Sequence, residues 1–305
     1  MEMKAPTRKH FPKMDSRMIL WIIIAGYTYI LPNFRVIYNA IVNSFGQAVA
    51  GKVPLVFVVT IGIIYVIAVF RTHKSLKNLL FLVPSAIIAV TIMTLQPNPN
   101  KHIHIPQYVL MAWLLFAVLS RDMDGKGLFI LIFILGSMLG VVDELEQGVH
   151  PTRFYGWSDM LVNCASTLIG VFTIMGLKKV TARELDWITP LKESRAMLWL
   201  ILFGFVGAVI MCAVLIQVAA SLTFAGIYPQ WLLYWNIIFA VILPFMVIRY
   251  QRSLNKYRPT IAGQPAGSLP PEIEVARLWT IPVLVILFYM HIIVIYVAYS
   301  GVAFV

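Results

Sequence analysis

IHIPQYVLMAWLLFAVLSRDMDGKGLFILIFILGSMLGVVD, residues 103–143, contains two apolar blocks separated by one short polar segment, RDMDGK at 121–126. As an α-helix rising about 1.5 Å per residue, each block is close to the length that crosses a hydrocarbon core of roughly 30 Å. Apolar runs of this length are too long for the helices of a soluble protein to hide. This stretch therefore predicts two neighbouring membrane-spanning helices.

Similar blocks recur along the whole chain of 305 residues, of which 60% are hydrophobic and only 12% are charged. A soluble domain carries about twice that charged fraction. The sequence predicts an all-α, polytopic transmembrane helical bundle with about nine spanning helices. We place them near 18–34, 53–70, 78–95, 103–120, 127–143, 158–177, 196–223, 231–248 and 278–304.

The 24 Lys and Arg residues separate into two unequal sets along the predicted helix order. Twenty lie in the N-terminal segment and in the alternate connections 71–77, 121–126, 178–195 and 249–277. The other connections hold Arg35, Lys52, Lys101 and Arg153. Because cytosolic loops are enriched in basic residues, this predicts a cytosolic N-terminus and an outer C-terminus. The net charge of +11 then reflects membrane flanks, among them Arg35 and Lys52, and not a nucleic-acid partner.

Two connecting segments and the cysteines carry further expectations. Residues 36–50 place Asn39, Asn43 and Gln47 at helical spacing, which favours a helix on the outer membrane surface over an ordinary loop. Residues 259–271 are rich in Pro and Gly and predict a flexible cytosolic linker. The two cysteines lie in apolar blocks, where they are expected to act as small hydrophobes.

The most informative feature is a concentration of ionisable residues on the predicted outer side. All four acidic residues there fall within 143–159, at the membrane level of Lys101 and Arg153; they are Asp143, Glu144, Glu146 and Asp159. Charged groups at such a depth need partners or a water-filled cavity. The sequence leaves two interpretations: a catalytic or ligand-binding pocket, or an ion-paired network that fastens helices together.

Three short patterns make up this polar cluster. The first has spacing i, i+3, i+7 and consists of Lys101, His104 and Tyr108. The second ends the fifth span and consists of Asp143, Glu144 and Gln147, followed by His150, Pro151 and Arg153. The third follows a predicted N-cap at Ser158 and gives the sixth helix one polar face of Asp159, Asn163, Ser166 and Gly170. Gly136 and Gly140 form a GxxxG pattern that permits close helix approach.

Together, KHIHIPQY (101–108), DELEQGVHPTR (143–153) and SDMLVNCASTLIG (158–170) resemble the VanZ-like family of bacterial membrane proteins. The matching positions are Lys101, His104, Tyr108, Asp143, Glu144, Gln147, Pro151, Arg153, Asp159, Asn163 and Gly170. The resemblance covers roughly residues 78–177. It implies a VanZ-like four-helix core there, preceded by two helices in 1–77 and followed by three in 178–305.

The resemblance implies a role in the cell envelope, since the family is named for a protein linked to teicoplanin resistance. It suggests a protein of the bacterial inner membrane that recognises or processes an envelope lipid or cell-wall precursor. Candidate catalytic residues are then His104, Glu144 and Asp143. Candidate ligand-binding residues are Lys101, Tyr108, Gln147, Arg153, Asp159 and Asn163. The alternative is a non-catalytic accessory subunit, whose partners would be other membrane subunits as well as membrane lipids.

Metal and cofactor signals in the sequence are weak. The possible metal ligands are His104, Asp143, Glu144 and His150. The sequence has no HExxH motif and no paired-histidine spacing, so neither a metal nor a cofactor is expected. His291, in the middle of the ninth span, is either a functional group or a neutral histidine hydrogen-bonded to a neighbouring helix.

Overall fold

The chain is almost entirely helical in the part that a computed structural model describes, residues 16–72, 76–150, 153, 155–178, 195–220, 228–256 and 271–302. Those ranges contain no strand. The helices are α1 (Ser16–Ile30), α2 (Phe34–Phe45), α3 (Gln47–Ala50), α4 (Val53–Thr72), α5 (Leu82–Leu95), α6 (His104–Leu119), α7 (Lys126–Val149), α8 (Trp157–Leu177), α9 (Arg195–Ala220), α10 (Gln230–Lys256) and α11 (Pro271–Ser300). Short 3₁₀ turns lie at Leu31–Asn33, Leu76–Phe81 and Pro99–Ile103.

Nine helical segments among these described residues are long and apolar enough to cross a membrane. Many of their large apolar side chains are exposed, as expected where lipid is the solvent. The predicted α-helical membrane protein with about nine spans is confirmed. The side on which each terminus lies stays a prediction.

Three helices run further than the hydropathy pattern suggests, and one of them is α10, which was predicted to end at 248 and continues to Lys256. The fifth span, predicted to end at 143, continues as α7 to Val149, so Asp143, Glu144 and Gln147 lie on its last two turns. These polar residues have hydrogen-bond partners there, which allows the helix to continue. At the other end of the chain, α11 begins at Pro271, the last residue of the predicted linker, and 259–270 lie outside the described residues.

The predicted N-cap at Ser158 is wrong. Helix α8 begins at Trp157, after Gly156, and no side chain caps it. Ser158 therefore lies inside the first turn, where its hydroxyl is 3.4 Å from the Lys101 ammonium. A tertiary contact of this kind has no local sequence signature.

The segment 36–50 is helical, as predicted, and the loop alternative is wrong. It forms the end of α2 and all of α3, which meet at Gly46. Gly46 has φ +82°, a left-handed conformation that favours glycine and turns the chain between the two helices. Helix α2 has no fully buried residue, and its first residue, Phe34, is partly buried against the core. Its position on the membrane surface stays a prediction.

Helices α6, α7 and α8 form the centre of the bundle, with 61%, 72% and 56% of their most apolar stretches buried, against 17% for the first three spans. The GxxxG pattern makes the predicted close contact. A Cβ added at Gly136 would lie 2.5 Å from Thr167 Cγ2, and one added at Gly140 would lie 2.8 Å from Asn163 Cβ. Because neither glycine has a side chain, the α7 backbone lies directly against α8.

Polar contacts gather at the two ends of this bundle. At one end Arg17 forms an ion pair with Asp122, and Arg121 donates to Ser16, which joins the start of α1 to the turn between α6 and α7. The connections α1–α4, α5–α6 and α7–α8 meet at the opposite end, where the three predicted polar patterns lie. The charge count predicts that this second end faces the outside.

Cysteine labelling tests that orientation. We expect Asn98→Cys, exposed before α6, to react with a membrane-impermeant maleimide in intact cells, while Arg121→Cys, exposed after α6, reacts only after lysis. The wild-type chain, whose Cys164 and Cys212 are free thiols, supplies the background. Reversed labelling would place the polar cluster in the cytosol and overturn the charge argument.

Candidate functional site

The last two turns of α7 form the centre of the polar cluster. Asp143 and Glu144 are 1% and 0% exposed. Tyr108 on α6 donates its hydroxyl to Asp143 Oδ2 at 3.0 Å. The Gln147 amide donates to Asp143 Oδ1 at 3.0 Å and to Glu144 Oε1 at 3.2 Å. Two buried carboxyl groups are thus held in place by neutral donors from two helices.

Gln147 also connects these carboxyl groups to a cation. Its Oε1 accepts from the Arg153 guanidinium through Nε at 3.2 Å and through Nη2. Burial lowers the pKa of Arg153, and the charge of Arg35 acts in the same direction, while Asp143 and Glu144 oppose the shift. The amide therefore bridges opposite charges without a direct ion pair.

A second charged contact joins the α5–α6 connection to α8. Lys101 Nζ lies 2.7 Å from Asp159 Oδ1 and 3.4 Å from Ser158 Oγ. Further along α8, Asn163 donates to the Gly140 carbonyl at 3.2 Å, and Ser166 is fully buried. The predicted polar face of the sixth helix thus faces α6 and α7.

His104 lies at the first residue of α6 and is only 7% exposed. Its ring stacks on Tyr108 with centroids 6.4 Å apart. A ring nitrogen of His104 and one carboxylate oxygen each of Glu144 and Asp159 all lie within 4.8 Å of one another. Of the residues weighed as metal ligands from sequence, two belong to this group, whereas Asp143 and the exposed His150 do not.

These residues adjoin a cavity of about 490 Å³ at the same end of the bundle. It is lined by Arg35, Tyr38, Asn39, Gln47, Asn98, Asn100, Lys101, His104, Gln147, Arg153, Tyr155, Gly156 and Asp159. Five predicted site residues are in this wall, while Tyr108, Asp143, Glu144 and Asn163 lie in the packed core behind it.

Sequence reasoning missed part of this wall. Arg35 was expected to be a solvated or headgroup-facing flank, but it lines the cavity with Tyr38 and Tyr155. One signal could have found it: Arg35 is one of only four basic residues on the predicted outer side, and three of those four line the cavity. Tyr155 has no comparable signal.

Two predicted ionisable groups lie elsewhere. Glu146 accepts from Tyr289 on α11 at 2.7 Å. His291 contacts its own helix, with Nδ1 2.7 Å from the Leu287 carbonyl, and stacks on Phe239 at 3.9 Å between centroids. The hydrogen bond to a neighbouring helix, one of the two interpretations of His291, is not formed by Nδ1, and Nε2 has no partner among the described residues.

Comparisons of the chain with protein-family models, with curated proteins and with solved structures give no match. The functional argument therefore rests on the site itself.

Proposed function

We propose that the protein binds the anionic headgroup of an envelope lipid or lipid-linked cell-wall precursor in the polar cavity. The observation that carries this proposal is the charge of the wall: among the described residues that line it, Arg35, Lys101 and Arg153 are accompanied by one carboxylate, Asp159. Guanidinium groups present planar donors that match the oxygens of a phosphate, and an ammonium adds a point charge. A phosphate group is the headgroup chemistry that this wall fits best.

An apolar groove beside the cavity supports a lipid in particular. It has a volume of about 560 Å³ and runs between α5 and α8. It is lined by Ile87, Ile88, Thr91, Ile92, Leu95, Gln96, Trp157, Ser158, Leu161, Val162 and Ala165. Ser158 lines the groove and Asp159 lines the cavity, and Lys101 contacts both. An amphiphile could place its phosphate beside Lys101 and its hydrocarbon chain along the groove.

The VanZ-like resemblance gives the proposal its setting, the bacterial inner membrane and a role related to glycopeptide resistance. Five of the residues that carry the resemblance line the cavity, namely Lys101, His104, Gln147, Arg153 and Asp159, while Pro151 lies outside the described residues. Candidate acid–base groups for processing a ligand are His104, Glu144 and Asp143, of which His104 lines the cavity. Binding is the part of the function that the geometry supports best.

Lipid titration of the full-length protein in detergent, followed by native mass spectrometry, tests this proposal. A polyprenyl phosphate is expected to bind more tightly than the polyprenol of the same chain length. Losing a charged hydrogen bond costs about 1.5–3 kcal/mol, so Arg35→Gln or Arg153→Gln should weaken binding roughly 10- to 100-fold. Arg121→Gln, an exposed arginine at the opposite end, should not change it.

Equal binding of the phosphate and the alcohol would contradict the proposal, as would unchanged affinity in both cavity variants. The accessory-subunit alternative makes a different prediction. It expects no specific lipid to bind the isolated chain, and a second membrane protein to be required for any activity in cells.

A further inference from the structure

We infer that His104, Glu144 and Asp159 form a binding site for a divalent transition-metal cation beside the polar cavity. The three residues come from the starts of α6 and α8 and the end of α7, and their donor atoms lie within 4.8 Å of one another. Nitrogen and carboxylate ligands bind Zn²⁺ at about 2.0–2.2 Å, so small side-chain rotations bring all three to one ion.

An unsatisfied group in the same cluster is the second observation. The His104 side chain is more than nine-tenths buried, and its Nδ1 has no hydrogen-bond partner among the described residues. Buried ring nitrogens are rarely left without a partner, and each such group calls for an explanation. Ligation of a cation by the His104 ring is one such explanation.

The contacts of the buried carboxyl groups are a third observation in favour of a cation. Among the described residues, Lys101 forms an ion pair with the buried Asp159, whereas the buried Asp143 and Glu144 reach Arg153 only through the Gln147 amide. Buried negative charge without compensation is costly. In the described part of the chain Glu144 has no ion pair of its own, and a divalent cation between Glu144 and Asp159 would provide one.

The ligand set indicates which cation fits. One imidazole and two carboxylates, with no thiolate, suit Zn²⁺ or Mn²⁺ better than a softer metal. Three protein ligands leave coordination positions open, and His104 and Asp159 line the cavity where an anion would supply a further ligand. The cation site itself does not require that anion, so it stands independently of the lipid proposal.

Metal titration of the tag-free, full-length protein in detergent tests the inference, with Mn²⁺ followed by electron paramagnetic resonance after EDTA treatment and buffer exchange. A single ion per chain is expected, displaced by Zn²⁺. His104→Gln and Glu144→Gln should weaken Mn²⁺ binding at least about 10-fold. Glu146→Gln is the matched control, since that carboxylate is two residues away on α7 and contacts Tyr289 instead.

Lys101→Met provides a variant with the opposite sign. Lys101 competes with the cation for Asp159, so its removal should tighten Mn²⁺ binding. All affinities are read from monodisperse protein, which separates loss of a ligand from loss of the fold. Failure of the folded wild-type protein to bind either ion, or equal binding by the Glu144 and Glu146 variants, would overturn the site. Because no lipid is present, that outcome leaves the headgroup proposal untouched.

Discussion

Gly170→Leu should abolish recovery of monodisperse protein, since the new side chain has no space at the contact between α8 and α6. A Cβ at Gly170 would lie 2.5 Å from Ala112 Cβ and 3.2 Å from the Cα and carbonyl oxygen of Val109. Two of these three atoms are backbone, so no rotamer change relieves the clash. Overpacking typically costs about 1–3 kcal/mol and occasionally more, which is a large part of the stability of a typical protein.

Gly62→Leu is the control for that substitution. Gly62 lies in the spanning helix α4, and a Cβ added there meets no atom within 4 Å. The same change in hydrophobicity and helix propensity is thus made without a clash. Detergent size-exclusion profiles and thermal unfolding compare the two variants, and equal profiles would mean that α6 and α8 do not pack through Gly170.

Gln147→Leu should have the next largest effect, because one amide bridges Arg153 to the carboxyl groups of Asp143 and Glu144. Leucine has a similar size but neither donates nor accepts, so the substitution leaves three ionisable groups without this partner. Breaking a buried charged network from one side typically costs about 3–5 kcal/mol. We expect a lower thermal transition and a lower yield of folded protein.

Gln230→Leu is the matched substitution at a position without such a role. Gln230 is exposed at the first residue of α10 and should tolerate leucine with almost no change in thermal stability. If Gln147→Leu were as stable as Gln230→Leu, the hydrogen bonds around Gln147 would not support the fold. The interpretation of the cluster as a connected network would then be wrong.

Composition and periodicity predicted the spans well because membrane insertion depends on local properties of the chain. An apolar run of sufficient length forms a helix in lipid whatever its neighbours are, since its backbone groups have no other partners there. Helix ends depend on the surroundings, and here the predictions were less accurate. Helix α7 extends to Val149 because the polar residues of its last turns bond to α6 and Arg153, contacts that hydropathy does not record.

Part of the polar site could also be predicted, because spacing along a helix determines which side chains share a face. Asp159, Asn163 and Ser166 recur at helical intervals and are all buried against α6 and α7. The role of Arg35 could not be predicted in this way. Arg35 lies far from the three motifs in sequence. It lines the cavity because the tertiary structure places α2 near the start of α8.

The sequence by itself determined the all-α membrane class, the number of spans and the identity of the polar motifs, all of which follow from hydrophobic length and helical period. It also predicted a close helix contact at Gly136 and Gly140, two glycines four residues apart, although only the structure identifies α8 as the partner. Only the tertiary structure decided which motif atoms meet. Glu144 lies beside His104 and Asp159, while Glu146, two residues further along the same helix, contacts Tyr289 on α11. Because successive residues of a helix are rotated by about 100°, side chains two residues apart point to nearly opposite sides. Only packing against neighbouring helices decides what each side contacts.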